Sequence, residues 1–197
     1  MPKLEIYQSL WAMELRRADR PERTLEENFA MIAEAGYRGV CIDLSSSGVD
    51  LVKKAGPLYE KHKLECLINA FPKTIEELRP VLHAGKERGC QFVNIIGQVM
   101  PVAVEGMMAV IREWLAMSRE EGMPVLFETH RNCITNDMFD TLRLLDMIPE
   151  LRLCGDVSHF LVDREFAYPV SAADHALMHR VLDRCDSFQG RVASREQ

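Results

Sequence analysis

The sequence predicts an α/β fold: an incomplete (β/α) barrel of about seven parallel strands with helices outside. Three observations carry this. Short β-rich apolar runs alternate with stretches of helical apolar spacing along the whole chain. The turn after the first run, SLWAMELRRADRPER, contains no glycine, where an open doubly wound sheet would need a glycine-rich one. Polar residues (Asp43, Asn69, Glu128, Asp156 and His159) close several different runs, as in a barrel whose strand ends surround one mouth.

The β-like runs are LEIYQSLW (4–11), GVCIDL (39–44), LECLINAF (64–71), FVNIIG (92–97), PVLFETH (124–130), LRLCGDVSH (151–159) and FQGRVAS (188–194). They start roughly 25 to 36 residues apart, the size of successive β-α units. In the first intervening helix, Leu25, Phe29, Ile32 and Ala33 share one face. Thr24 to Glu27 and Thr74 to Glu77 read as capping boxes, and Ser171 to Asp174 as a weaker one. Pro101 suits the first turn of the long helical segment running to Glu121. EAGYRGV (34–40) and ERGCQFV (87–93) share a layout, a glycine just past a helix and then a strand. Met107, Met108 and Met117 on the long helix read as core filler. No linker, low-complexity tract or charge block interrupts the pattern, so residues 1–197 are expected to form a single domain.

Composition narrows the function. Apolar residues make up 47% of the 197, charged residues 27%, and the net charge is −6. An acidic chain with no basic stripe is poorly suited to a phosphate backbone, which argues against nucleic acid. No apolar run reaches membrane-spanning length and the start lacks a signal-peptide pattern, so a cytoplasmic protein without a membrane partner is expected. Cys41, Cys66, Cys90, Cys133, Cys154 and Cys185 form no CxxC and read as small buried hydrophobes in a reducing compartment.

FETHRN (127–132) closes the fifth run and GDVSH (155–159) the sixth. Neighbouring strand ends of a barrel are adjacent around its mouth, so Glu128 and Asp156 should converge. Two close carboxylates repel unless a cation or shared proton relieves them, and oxygen donors favour manganese, magnesium or cobalt over zinc. His130 and Arg131 offer positive charge to an anionic substrate group, or are simply solvated loop charges. Asp43, just before the serines at 45–47, also has the character of a turn or cap residue. Trp11 and Phe71 read as packing at the barrel mouth.

E-T-H-R on the fifth strand, D-x-S-H on the sixth and R-V-x-S-R-E on the seventh, in this order, resemble the xylose-isomerase-like TIM barrel superfamily, most closely its sugar phosphate isomerase/epimerase branch. The resemblance covers essentially the whole chain. It implies that Glu128 and Asp156 ligate a divalent metal, that His159 contacts substrate oxygens, and that Arg191 faces the substrate. Where that family carries a histidine ligand on strand seven this chain has Gln189, a neutral and weaker donor. Endonuclease-IV-like relatives need further histidines on earlier strands, and IDL, NAF and IIGQ supply none.

The implied reaction is metal-dependent isomerisation or epimerisation of a sugar, sugar phosphate or related α-hydroxy carbonyl compound through an enediolate. Glu128 and His159 would be the catalytic groups, Glu128, Asp156 and Gln189 the metal ligands, and His159, Arg191, His130 and Arg131 the substrate contacts. The sequence ends soon after the seventh run, so the expectation is a barrel truncated after strand seven, with impaired catalysis. A barrel completed by a second chain through open strand edges, or a non-catalytic barrel remnant acting as a binding or assembly module, are the alternatives.

Overall fold

A computed structural model describes residues 4–14, 18–44 and 48–193. The serines at 45–47 and the end of the R-V-x-S-R-E motif lie outside the described residues. Seven strands, β1 (Tyr7–Ser9), β2 (Gly39–Leu44), β3 (Glu65–Ala70), β4 (Val93–Ile95), β5 (Val125–Glu128), β6 (Leu153–Gly155) and β7 (Cys185–Phe188), form one sheet in sequence order. Every adjacent pair is parallel. The helices are α1 (Leu25–Glu34), α2 (Val49–His62), α3 (Leu78–Glu87), α4 (Val104–Glu121), α5 (Met138–Met147), α6 (Val157–Asp163) and α7 (Ala172–Leu182), with a 3₁₀ turn at Trp11–Met13. The result is a curled, incomplete barrel in which β1 and β7 end the hydrogen-bonded ladder among the described residues.

Local signals place these elements. Thr24 caps α1 by accepting from the Glu27 amide at 3.2 Å, and the Glu27 carboxylate accepts from the Thr24 amide at 2.7 Å. Ser171 caps α7 by accepting from the Asp174 amide at 3.0 Å. Gly36 and Gly89, in the repeated helix-glycine-strand layout, take φ of +79° and +68°, which a side chain would resist. The Thr74 box does not form. Residues 74–77 make a turn, α3 starts at Leu78, and the Glu77 carboxylate accepts from the Lys73 amide at 2.7 Å instead. Pro101 likewise precedes α4 by three residues rather than opening it.

The two last strands differ from expectation. LRLCGDVSH is a strand only to Gly155; Asp156 caps α6 and His159 lies in its first turn. The aspartate side chain accepts from the Ser158 amide at 3.1 Å, which turns the chain from strand into helix. The seventh strand is CDSF, not FQGRVAS. It pairs with β6 across a register shift at Leu153/Cys154, helped by Arg152 Nε donating to Asp186 Oδ2 at 2.8 Å. A short, half-exposed strand with two apolar residues gives little signal, and the expected run overlaps it only at Phe188.

The outward faces of the strands pack on the helices. Phe29, Ile32, Ile42, Ile68, Leu82 and Ile95 are fully buried in this layer, and Met108 and Met117 join it. Cys41, Leu67, Leu126 and Cys154 are buried outside that cluster, on the alternate positions facing the barrel interior. Trp114 anchors the outer layer: it is fully buried, its indole N–H donates to the Ile75 carbonyl at 3.1 Å, and its ring covers Gly97. A β-carbon at Gly97 would lie 2.4 Å from that ring. Removing a buried indole leaves a large cavity, so Trp114→Ala should destabilise the fold by about 3–5 kcal/mol, seen as a lower urea midpoint at unchanged slope.

Candidate functional site

The register of the sheet builds the site. Asp43 of β2 stands opposite Asn69 of β3, and Asn69 opposite Asn94 of β4. These three side chains face the interior and bond in series. Asn69 Nδ2 donates to Asp43 Oδ1 at 2.8 Å, and Asn94 Nδ2 donates to Asn69 Oδ1 at 2.9 Å. The second Asn94 N–H reaches Glu128 Oε2. Gln189, just past β7, donates its amide N–H to the same oxygen at 3.1 Å from the other side. A polar chain thus runs across the barrel interior with Glu128 near one end.

Glu128 is 4% exposed. Burial pushes its carboxyl up to about 7, against the pull of the Asn94 and Gln189 N–H groups, and the Asp156 and Asp43 charges add to the rise. Both side-chain hydrogen bonds converge on Oε2 and neither falls on Oε1. The strand end itself is pinned: Thr135 Oγ1 donates to the Glu128 carbonyl, and Thr129 donates its backbone N–H to the Cys154 carbonyl at 3.1 Å.

Asp156 is also buried. Ser158 occupies Oδ1 through its amide and its hydroxyl, and Thr129 Oγ1 accepts from the Asp156 amide at 2.8 Å. Oδ2 lies 3.5 Å from His159 Nε2 and 3.9 Å from Arg191 Nη1. Arg191 Nη1 also sits 2.9 Å from His159 Nε2. Arginine can only donate, so Nε2 is the acceptor and His159 is the neutral, Nδ1-protonated tautomer. Desolvation agrees: despite Asp156, burial and the nearby His130, Arg191 and Arg131 charges lower the His159 imidazole to about 4. The Asp156–His159 contact is therefore not an ion pair at neutral pH; Arg191 is the cation facing both.

His130 lies against His159, with ring centroids 4.3 Å apart and planes tilted by 53°, and meets Phe71 edge-on at 6.3 Å. Its Nδ1 lies 2.7 Å from the Arg131 carbonyl, which places the proton there and leaves Nε2 unprotonated. Burial lowers its basicity as well. Arg131 is exposed and contributes that carbonyl and its charge. Trp11 is half exposed in its 3₁₀ turn, so packing accounts for it only in part.

Glu128, Asp156, Gln189, His159, Arg191 and His130 therefore surround one mouth, with Arg131 at its rim. Sequence reasoning missed Asn94 and Thr129. Asn94 interrupts the apolar run FVNIIG, which was the available signal; Thr129 gave none, because its role is a bond to a residue one β-α unit away.

No group of three His, Cys, Asp or Glu side chains among the described residues is arranged to hold a metal ion. Two carboxylates and neutral amide oxygens, the donor types a hard divalent cation takes, are nonetheless present. Glu128 Oε1 and Asp156 Oδ2 are the anionic oxygens, and the Asn94 Oδ1 atom is buried without a partner. The Gln189 amide adds a neutral oxygen, while its nitrogen serves Glu128.

No protein-family model matches the sequence, and no curated protein does. Solved structures do match in fold. A Bacillus anthracis protein described as the probable 3-DHS dehydratase AsbF, involved in petrobactin synthesis, aligns with a TM-score of 0.66 at 16% identity over 94% of this chain and 72% of its own. A xylose isomerase-like TIM barrel protein from Mycobacterium smegmatis, in complex with magnesium, gives 0.66 at 12% identity over 94% and 74%. D-Allulose 3-epimerase from Methylomonas sp., in complex with D-allulose, gives 0.56 at 14% identity over 85% and 79%. The chain thus shares the fold of xylose isomerase-like and epimerase barrels and spans about three quarters of their length.

The elevated Glu128 carboxyl has a stability consequence in chelator-treated protein. The folded state keeps its proton up to about 7, whereas the unfolded chain releases it near 4.5. Folding stability therefore falls as pH rises between these values and levels off above them, by up to about 3 kcal/mol. Glu128→Gln stays neutral and still accepts from Asn94 and Gln189. It should be more stable than wild type at about pH 8, with the gap closing towards pH 4.5. Parallel urea-unfolding profiles across that range would refute the assignment.

Proposed function

We propose that this chain is a proton-transfer enzyme of the isomerase/epimerase class, acting on a small carbohydrate-like α-hydroxy carbonyl compound. The observation that carries the reading is Glu128: a buried carboxylate at a strand end, oriented by two N–H donors on one oxygen and balanced near neutrality. A general base works best with a pKa near the operating pH. The fold shared with an epimerase that binds D-allulose and with a magnesium-bound barrel supports the substrate class and the use of a divalent cation.

Glu128 and Asp156 would hold manganese, magnesium or cobalt, with Gln189 as a neutral third donor. Bound there, such a cation acidifies the carbon-bound proton beside the carbonyl and stabilises developing oxygen charge. The chain's own residues do the rest. The Glu128 carboxylate would take the proton, and the electron pair would move into the carbonyl to give an enediolate. Arg191 places positive charge beside the substrate oxygens, and neutral His159 is held by Arg191 to meet a hydroxyl. Returning the proton to the neighbouring carbon isomerises the substrate; returning it to the opposite face epimerises it. His130, with Nε2 unprotonated, accepts a further hydroxyl, and Arg131 draws anionic substrates to the rim.

A second reading, a binding module without turnover, is favoured because no three His, Cys, Asp or Glu side chains among the described residues are arranged around one ion. Two measurements separate them. Calorimetric titration with Mn²⁺ should give saturable one-site binding that Asp156→Ala abolishes. With Mn²⁺ present, a panel of ketoses, aldoses and their phosphates in D₂O should show deuterium entering one C–H position by NMR, with Glu128→Gln slowing it by about 10²-fold or more. Metal and sugar binding without deuterium uptake would establish the binding module; absence of metal binding in folded protein would overturn the metal-dependent reading.

A further inference from the structure

Carboxyl groups stand near both ends of the interior polar chain. Asp43 of β2 accepts from Asn69 Nδ2 at 2.8 Å through Oδ1, and Glu128 of β5 accepts from Asn94 Nδ2 through Oε2. β3 and β4 lie between these two strands, so the carboxyls are held apart across the interior and joined only through the two amides. The middle of the chain carries an unmatched acceptor. Asn94 Nδ2 also donates to Asn69 Oδ1 at 2.9 Å, whereas Asn94 Oδ1 has no hydrogen-bond partner among the described residues, although the residue is only 2% exposed. A buried acceptor left unpaired is costly, and a ligand hydroxyl is the donor that relieves it. That oxygen marks a hydroxyl-binding point between the two carboxyls.

Resting on the isomerase/epimerase reading of the Glu128 mouth, we propose that Asp43 is its second proton-transfer group. Asp43 gives a proton to the face of the enediolate opposite Glu128 while Asn94 Oδ1 accepts a substrate hydroxyl, and the reaction is an epimerisation.

Inversion at a carbon needs a base on one face and an acid on the other. Glu128 starts ionised and Asp43 protonated. Glu128 removes the proton beside the carbonyl: the C–H bond breaks, an O–H bond forms on Glu128, and the electron pair moves to the carbonyl oxygen. Asp43 then protonates the same carbon from the other side. The new C–H bond forms, the carbonyl is restored and Asp43 is left ionised. One proton leaves the substrate and one enters it, no electrons are gained or lost, and exchange with water returns both carboxyls to their starting forms. Burial raises the Asp43 carboxyl against the pull of the Asn69 N–H, and the Glu14 charge adds to the rise, which favours the protonated form that the step begins from. The other groups at the mouth are engaged elsewhere. Arg191 only donates and occupies His159 Nε2, the His130 Nδ1 proton is held by the Arg131 carbonyl, and Asp156 faces Ser158 and Arg191.

The experiment incubates the intact chain with Mn²⁺ and D-allulose in D₂O, followed by the remaining ketoses and aldoses, and reads inversion and deuterium entry separately by NMR. The wild-type product should carry deuterium at the inverted carbon from the first turnovers. Asp43→Asn keeps an oxygen for Asn69 to donate to. It should slow inversion by about 10²-fold or more while deuterium still enters with retained configuration, a change of ratio that a merely structural role for Asp43 would not give. Inversion undiminished in Asp43→Asn overturns the role of Asp43 and leaves the Glu128 reading standing, as does deuterium entry without inversion in the wild type. No deuterium entry into any sugar of the panel overturns both. Should the variant fail to fold, the wild-type product decides: substrate hydrogen carried over into the epimer would mean that one group serves both faces, and would overturn the proposal.

Discussion

Burial of the Glu128 carboxylate is the constraint on which the interior of this barrel turns. A carboxyl group withdrawn from water needs N–H donors or a proton, and both answers are built in here. Asn94 and Gln189 approach from opposite sides, and burial lifts the carboxyl to where a proton is half retained at neutrality. Asn94 is aimed by Asn69, and Asn69 is anchored on Asp43. The chain of amides exists because three successive parallel strands pair with these residues in register. A slip of one residue in any of them would turn its polar group to the helix side and leave a buried donor or acceptor without a partner.

The two faces of the sheet divide the work. The outer face is apolar and carries most of the stability, with Trp114, Phe29 and the isoleucines packed beneath the helices. The inner face holds the polar chain, and its apolar positions are small or slender: Cys41, Leu67, Leu126 and Cys154. Stability and chemistry are thus set by alternate residues of the same strands, which lets one face vary with little effect on the other. The cysteines follow the same division. Those of the inner face are passive filling, whereas Cys66 faces outward and lines a cavity with Tyr59 and Arg88 at the far end of the sheet.

Positive charge at the mouth is arranged around neutral histidines. Arg191 approaches both Asp156 and His159, and this contact, more than any protonation of imidazole, neutralises the second carboxylate. His159 and His130 remain uncharged with fixed tautomers, His159 keeping Nδ1–H as a donor and His130 keeping Nε2 as an acceptor, suited to hydroxyl groups more than to anions. The mouth therefore presents two carboxylates, a guanidinium and neutral hydrogen-bonding groups to the same small volume, the mixture that a polyhydroxylated ligand requires.

Much of this was legible in the sequence because it rests on short-range chemistry. The alternation of apolar runs and helical spacing determined a parallel α/β barrel, Thr24 and Ser171 marked helix starts, and the positions of Glu128 and Asp156 at run ends placed two carboxylates at one mouth. Where the signal was weak the sequence misled: the half-exposed CDSF strand, with two apolar residues, was passed over for the run that begins at Phe188, and the end of LRLCGDVSH concealed a helix cap. Only the tertiary structure decided the partners. Register, which no local pattern states, made Asn94 a donor to Glu128; curling of the sheet brought Gln189 to the same oxygen from 61 residues away. The tautomer of His159 followed from the approach of Arg191. Spacing along a chain fixes which residues share a face, whereas hydrogen bonds between strands fix which of those faces meet.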